Sequence, residues 1–299
     1  MIEAAHVNTS AKASLRALLR GVIDYAGLFP PASLPLDQSI RNYARYCNEP
    51  DRWMLGRFIC PTTKFNELLP FVIELFDERK PLIISALGRA ATTVAETIAA
   101  VGDDIEAVEA FRAEAGGRAV VDVLELKIPD PTIDVLERCE EAELRPFCEA
   151  AWKPGWDRRM GYKLRTGGVE AKAFPSPQHV ASVIASCRDA GVPLKFTAGL
   201  HHPIRHSNDS VQTKMHGFIN VFAAAAIAYA NRAVDAQQLQ AILEDEDAAG
   251  FHFGDDGLRW RSLEVTTAQI ERARRDFAIS FGSCSFDEPR EDLRALGWM

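Results

Sequence analysis

Two lysines, Lys163 in GYKLRTGG and Lys195 in LKFTAGLHH, lie inside short apolar segments that are typical of buried strands. A charge in such a segment is costly to bury unless it is paired or lines a site. A lysine near another cation in a partly desolvated place has a depressed pKa and becomes nucleophilic at neutral pH. Lys163 close to Lys195 and Arg165 would meet this need, which indicates a lysine able to form an imine.

Acidic residues occur in neighbouring segments and could move protons. Side chains alternate between the two faces of a strand, so Glu125 and Lys127 share one face of VDVLELKIP, whereas Asp122 points the other way. Glu149 ends the segment PFCEA. These carboxylates could serve as general acids and bases, or they could be structural ion-pair partners of the strand lysines and arginine, and the pattern leaves both interpretations open.

A histidine cluster follows Lys195. His201 and His202 end that segment, and His216 lies near the start of the next helical pattern. Such a cluster could ligate a divalent metal. It lacks HxH and HExxH spacing, so substrate hydrogen bonding or general acid–base work by His201 and His202 is the alternative interpretation.

A chain of net charge −8 needs a local cationic pocket to handle an anionic substrate. Arginine offers a planar fork suited to carboxylate or phosphate, and small residues let backbone N–H groups approach an anion. The residues expected to bind substrate are Lys127, Arg165, Thr197, Arg205, Gly282, Ser283 and Ser285.

Short β-rich runs alternate with helical patterns along the chain, which predicts a parallel sheet. Eight strands favour an α/β fold with a single TIM-barrel-like (β/α)₈ domain over 1–299, and a doubly wound open sheet is the alternative. Charges near the ends of strands four to seven fit this barrel, because barrel enzymes keep their chemistry at the C-terminal ends of strands. The predicted strands are Val22–Gly27, Leu55–Cys60, Leu82–Leu87, Val120–Ile128, Pro146–Ala150, Gly161–Arg165, Leu194–Ala198 and Ala278–Gly282.

Helical patterns fill most gaps between these strands, at about 36–48, 64–78, 91–115, 131–142, 177–190, 211–231 and 235–247. An excursion of helix plus hairpin is expected at about 233–262, with its turn at Asp256-Gly257. In the first strand Asp24 interrupts an apolar run before Pro30-Pro31. This segment is either a fixed loop at the barrel mouth or a rigid turn.

The composition argues against nucleic acid and membranes as partners of this protein. Charges of both signs are interspersed without a basic stripe, so nucleic acid is not expected as a partner. The apolar run Phe218–Ala230 is too short to span a membrane and reads as a buried helix. The six cysteines form no CxxC pair, and the N-terminus lacks the apolar core of a signal peptide, which together predict a cytoplasmic protein. Homo-oligomer formation stays open.

Several segments resemble the deoxyribose-phosphate aldolase family of class I aldolases. Lys163 to Gly167 looks like the family's Lys-x-x-Thr-Gly strand, and the resemblance implies that Lys163 forms the Schiff base. The segment from Lys195 to Gly199 looks like the family's second lysine element, and Phe281 to Ser285 resembles its Phe-Gly-x-Ser-Ser phosphate-binding end. Val121-Asp122-Val123 is similar to the strand that carries the family's acidic proton-relay residue.

The resemblance covers mainly 161–200 and 277–286, and the chain departs from the family in three ways. Arg165 stands where the family has a small residue, His201-His202-Pro203 has no counterpart, and the connection between strands seven and eight is far longer. The segments DYAGLFPPA and SFGSCSFDEP look like signatures of a separate bacterial family.

Three functions are therefore compared. The first is an aldolase-like lyase without cofactor that uses a lysine Schiff base on a small anionic carbonyl or sugar-phosphate-like substrate. The second is an isomerase or hydrolase with a divalent metal on His201, His202 and His216. The third is a non-catalytic barrel that binds a partner.

Overall fold

The computed structural model describes residues 11–299 as a closed barrel of eight parallel strands surrounded by helices. The first ten residues of the predicted domain lie outside this range. The barrel strands are β1 (Ile23–Tyr25), β2 (Leu55–Pro61), β3 (Leu82–Leu87), β4 (Ala119–Lys127), β5 (Arg145–Glu149), β6 (Gly161–Arg165), β7 (Leu194–Thr197) and β13 (Ala278–Ser283). The barrel prediction is confirmed, and each of these strands overlaps a predicted segment.

Ten α-helices accompany the strands within the described residues. They are α1 (Ala13–Leu19), α2 (Leu36–Tyr46), α3 (Phe65–Leu75), α4 (Val94–Ala115), α5 (Ile133–Glu141), α6 (Pro177–Ala190), α7 (Phe218–Ala230), α8 (Ala236–Glu244), α9 (Thr267–Asp276) and α10 (Asp287–Ala295). The sequence patterns did not indicate α1, α9 and α10.

Strand order around the barrel is β1-β13-β7-β6-β5-β4-β3-β2, which returns to β1. Closure occurs at β1, where Ile23 pairs with Phe281 of β13 on one side and with Leu55 of β2 on the other. Because all eight strands are parallel, their C-terminal ends meet at one rim, where barrel enzymes keep their active sites.

The apolar core lies mainly between the strands and the helices. Helix α7 is apolar on all sides and almost fully buried, as predicted for the run Phe218–Ala230. Its Phe218 and Phe222 rings lie 5.5 and 5.8 Å from the ring of Phe281 on β13. This packing fixes β13 against the helical layer.

The lower interior of the barrel is filled by Phe147 of β5. Its register partner on β6 is Gly161, and a Cβ atom there would lie 2.3 Å from the Phe147 ring. A residue without a side chain is therefore required at this point. The ammonium group of Lys195 lies 5.5 Å from the centre of the same ring, so Phe147 forms part of the floor beneath the charged residues.

The long connection between β7 and β13 carries two small antiparallel sheets. A hairpin of β8 (His206–Asn208) and β9 (Thr213–Met215) occupies the region where the helical pattern was expected to begin at 211. The strands expected around Asp256-Gly257 are β10 (Phe251–Phe253) and β11 (Gly257–Trp260), and a further strand, β12 (Leu263–Thr266), extends them. Among the residues that the structure describes, no helix is long and apolar enough to cross a membrane.

Two adjacent valines on β4 test which face of this strand is buried. Val121 is 1% exposed and Val120 is 41% exposed. We expect Val121→Ala to lower the free energy of unfolding by roughly 2 kcal/mol, because buried methyl groups are lost and a cavity is left. Val120→Ala is the matched control and should change it by less than about 0.5 kcal/mol. Urea denaturation measures both, and equal losses would contradict the assigned facing.

Candidate active site

A cavity of about 420 Å³ opens at the C-terminal rim of the barrel. Each of the eight barrel strands, or the residues directly after it, contributes to its wall. Residues that carry chemistry or charge on this wall are Glu125, Lys127, Glu149, Lys163, Arg165, Thr197, His201 and Cys284. The rigid segment Pro30-Pro31 also lines the cavity, at the mouth position that the sequence left open.

Lys195 lies below the cavity floor and is only 1% exposed. Its Nζ atom is 2.7 Å from Oδ2 of Asp24 and 2.6 Å from Oε1 of Glu125. The same ammonium group donates a hydrogen bond of 3.1 Å to Oγ of Ser85. Three buried acceptors thus surround this cation, which is the condition under which a charge survives in a barrel interior.

Lys163 lies above Lys195 and reaches the cavity wall. Its Nζ atom is 2.6 Å from Oε2 of Glu125, so the two lysines share the two oxygens of one carboxylate. Ser85 donates a hydrogen bond of 2.7 Å to Oε1 of Glu125. The sequence placed these lysines on adjacent strands, and the register confirms that Lys163 pairs with Lys195 directly.

Opposite charges dominate the electrostatics of this cluster. Burial alone would raise the pKa of Glu125, but the Lys163 and Lys195 ammonium groups outweigh it and hold that pKa well below its usual range. Burial alone would lower the pKa of Lys195, but Asp24 and Glu125 raise it above the ordinary value. The two ammonium groups do not meet directly, because the Glu125 carboxylate lies between them and binds both.

The charged chain continues toward the N-terminal end of the barrel. Asp24 accepts hydrogen bonds from the Ser280 hydroxyl at 2.6 Å and from the Arg57 backbone N–H at 2.7 Å. The guanidinium of Arg57 in turn binds both oxygens of Asp122, at 2.7 and 3.0 Å. Asp122 lies where the β3–β4 register shifts and does not line the cavity. The proton-relay role that the resemblance implied for Asp122 is therefore corrected: its carboxylate is bound to Arg57, away from Lys163.

A second layer of charges lies nearer the mouth of the cavity. The Arg165 guanidinium binds Glu149 with N–O distances of 3.0 and 3.3 Å. Lys127 also lines the cavity, and among residues 11–299 no carboxylate lies within salt-bridge distance of it. This layer carries one net positive charge beside Lys163. Thr197, the register partner of Arg165, continues the wall onto β7, and Gly282 of β13 pairs with Thr197 on its other side.

The turn after β13 does not form the cationic subsite that the sequence suggested. The Ser283 hydroxyl donates to the backbone carbonyl of Ser285, and the Ser285 hydroxyl accepts the backbone N–H of Glu288. Asp287 and Glu288 also add negative charge to the first turn of α10. An anion there would meet two carboxylates, so only Gly282 of the expected trio lines the cavity.

Arg205 and His216 lie together away from the cavity. His216 is fully buried, and its Nε2 atom is 2.8 Å from the Pro175 carbonyl oxygen. Arg205 approaches the other ring nitrogen of His216 at 3.4 Å. The anion-binding role predicted for Arg205 is therefore corrected, because its guanidinium is outside the cavity wall.

His201 and His202 contact the acidic face of α10. Nδ1 of His201 is 3.1 Å from Oε2 of Glu288, and Nδ1 of His202 is 2.6 Å from Oδ2 of Asp292. His201 lines the cavity, whereas His202 does not. Within 11–299 no group of three potential ligands lies close enough to hold a metal ion. His201, His202 and His216 therefore do not form a common metal site.

Four participants were missing from the candidate residues. Asp24 carried a visible signal, since it interrupts an apolar strand, but its partner lies far away in sequence. Ser85 and Ser280 are small polar residues inside buried strands, which gave a weaker signal. Glu288 carried no signal beyond its place in SFGSCSFDEP, because the polar residues around it are typical of an exposed helix.

Comparisons of this chain with protein-family models, with curated proteins and with solved structures found no significant match. The likeness to the aldolase family therefore stays a resemblance of motifs, and the site is interpreted from its own geometry.

Two lysines of the site provide a matched test of buried charge. We expect Lys195→Met to lower the free energy of unfolding by roughly 3–5 kcal/mol, because Asp24 and Glu125 would remain buried without their shared cation. Lys127→Met removes an exposed lysine from the same cavity and should change it by less than about 0.5 kcal/mol. Urea denaturation at neutral pH compares the two, and similar stabilities would refute the dependence on Lys195.

Because His216 is buried, we expect the folded protein to lose stability in mild acid. Burial lowers the pKa of His216 to about 4, and Arg205 adds to this effect against the Pro175 hydrogen bond. The unfolded state then binds a proton at higher pH than the folded state, so stability falls as pH falls from about 6.5 to 4, by up to roughly 3 kcal/mol. Urea denaturation across this range should show a flatter dependence for His216→Gln. Exposed His179→Gln is the control and should keep the wild-type dependence.

Proposed function

We propose that this chain is an aldolase-like lyase in which Lys163 forms an imine with the carbonyl group of a small anionic substrate. The observation that carries the proposal is the position of Lys163 Nζ, at the cavity wall and 2.6 Å from the buried carboxylate of Glu125. An amine beside a proton acceptor in a closed pocket is the arrangement that imine chemistry needs.

Lys163 is a better nucleophile candidate than Lys195 on grounds of access. Lys195 is 1% exposed, does not line the cavity and is held by Asp24, Glu125 and Ser85. Lys163 has Glu125 as its carboxylate partner within the described residues and faces the open volume. A substrate carbonyl can therefore approach Lys163 without disruption of the ion pairs that Lys195 makes with Asp24 and Glu125.

The proton on Lys163 must leave before the amine can attack. Glu125 contacts this ammonium group, while its second oxygen stays bound to Lys195 and Ser85. Because Lys195 favours the ionised form of Glu125, this carboxylate does not keep the proton but relays it between the amine and solvent in the cavity. Lys195 and Asp24 act in this proposal as positioning residues for Glu125.

The charge of the upper layer indicates an anionic substrate. Arg165 is neutralised by Glu149, whereas Lys127 leaves one positive charge on the wall next to Lys163. Apolar side chains such as Phe29, Ile59 and Val169 form much of the remaining wall. A carbonyl compound with a single carboxylate fits this distribution better than a sugar phosphate, whose expected subsite after β13 carries acidic residues.

Borohydride trapping tests the imine. Wild-type protein is incubated with pyruvate, acetaldehyde or acetone, reduced, and analysed by peptide mass spectrometry, and we expect a reduced adduct on Lys163. Lys163→Met should abolish both trapping and aldol cleavage, since the nucleophile is gone. Lys172→Met is the matched control, because this lysine is exposed and lies outside the cavity wall. A folded Lys163→Met protein that still traps, or a wild type that traps none of the carbonyl compounds, would refute the proposal.

A further inference from the structure

The imidazole ring of His201 lies at the cavity wall and has no role in the proposed imine step. It lies in the loop after β7 and lines the same cavity as Lys163. Its Nδ1 atom is 3.1 Å from Oε2 of Glu288, so Nε2 is the ring nitrogen that this contact leaves for a substrate. A carboxylate at Nδ1 favours the tautomer with hydrogen on that nitrogen, which leaves a free lone pair on Nε2.

Glu288 is held firmly in its position on α10. Its backbone N–H donates to Ser285, and the helix is tied to the segment before β2 by ion pairs of Arg290 with Glu49 and of Arg294 with Asp51. The hydrogen bond with His201 lowers the pKa of Glu288, against the effect of partial burial, and so keeps it ionised at neutral pH. An ionised carboxylate at this place stabilises an imidazolium when His201 takes up a proton.

The other titratable groups of the cavity are engaged or protonated. Both oxygens of Glu125 are occupied by lysines, and Glu149 is bound to Arg165. Burial raises the pKa of the Cys284 thiol, so it stays protonated. Among the described carboxylates and imidazoles on the wall, His201 is therefore the one that is not bound to a lysine or an arginine.

We infer that His201 is a second acid–base residue, which acts on the hydroxyl group β to the substrate carbonyl, and that Glu288 is its positioning residue. The inference rests on the proposed function, since it needs an imine on Lys163. It also defines the substrate class further, as a β-hydroxy carbonyl compound whose hydroxyl faces the β7 wall.

The step balances without any further reactant. With the substrate held as a protonated imine, the bond between the α and β carbons breaks and its electron pair moves to the nitrogen, which gives a neutral enamine. The β-hydroxyl proton passes to Nε2 of His201, and the β carbon leaves as a carbonyl product. The imidazolium then returns this proton to the enamine carbon, and water hydrolyses the restored imine to free Lys163.

The experiment measures trapping and turnover on the same variants, with 4-hydroxy-2-oxobutanoate as a cleavable probe and pyruvate as the trapping probe. His201→Gln should trap pyruvate within about threefold of wild type, but its kcat for cleavage should fall roughly 100-fold or more, the usual contribution of a general base. Imidazole added to His201→Ala should restore part of the rate, which a purely structural role would not allow.

Asp292 provides the matched control, because it is an acidic residue of the same helix that binds His202 rather than His201 and does not line the cavity. Asp292→Asn should keep kcat within about twofold. Glu288→Gln should lower kcat at least about tenfold, since the tautomer of His201 is no longer fixed. In the His201→Gln background, Glu288→Gln should add no further loss, because the two residues act as one unit.

The outcomes separate the two proposals. Wild type that traps pyruvate, together with His201→Gln that cleaves the probe at the wild-type rate, would overturn the role of His201 and leave the imine intact. Wild type that never traps would overturn the imine, and the acid–base role with it. Loss of trapping in a folded His201→Gln protein would also overturn the assignment, because His201 would then act at the imine rather than at the hydroxyl.

Discussion

The structure depends above all on one fully buried ammonium group. Lys195 lies between Asp24 of β1 and Glu125 of β4, and each of these carboxylates would be strongly destabilising without it. The three side chains come from strands on different sides of the barrel, so their contacts hold the barrel interior in register. Beyond them the alternation of charge extends through Arg57 to Asp122 in one direction and to Lys163 in the other.

This alternation explains how a reactive amine is presented at the cavity. Glu125 has no freedom to rotate, since Lys195 and Ser85 hold one of its oxygens, and the other oxygen is thereby aimed at Lys163. Lys163 is the end of the chain of charges and lines the cavity together with Glu125, whereas Lys195 and Asp24 do not. The upper layer of Lys127, Glu149 and Arg165 then distributes charge around the mouth without disturbing the pairs below.

Much of the fold could be predicted because buried parallel strands are continuous apolar runs with sharp ends. The same contrast revealed Lys163, Lys195 and Glu125, whose charges interrupt such runs. Helices α9 and α10 escaped notice because their exposed faces are strongly polar and their apolar residues are few. Glu288 could not be connected with His201 from sequence, since the contact spans 87 positions and depends on where α10 packs. Asp122 was misassigned because the register shift in β4 and the pairing with Arg57 appear only in three dimensions.

Closure of the barrel between β1 and β13 has a consequence for how the protein is made. Asp24 leaves the ribosome long before Lys195 and Ser280, its partners in the finished interior. At ordinary rates of synthesis the delay is on the order of ten seconds or more. During that interval Asp24 lacks Lys195, the lysine that it pairs with, although Glu125 can already meet Lys163. Condensation of the early strands alone would bury the Asp24 carboxylate without a cation, so the interior should close only after the seventh strand has been made.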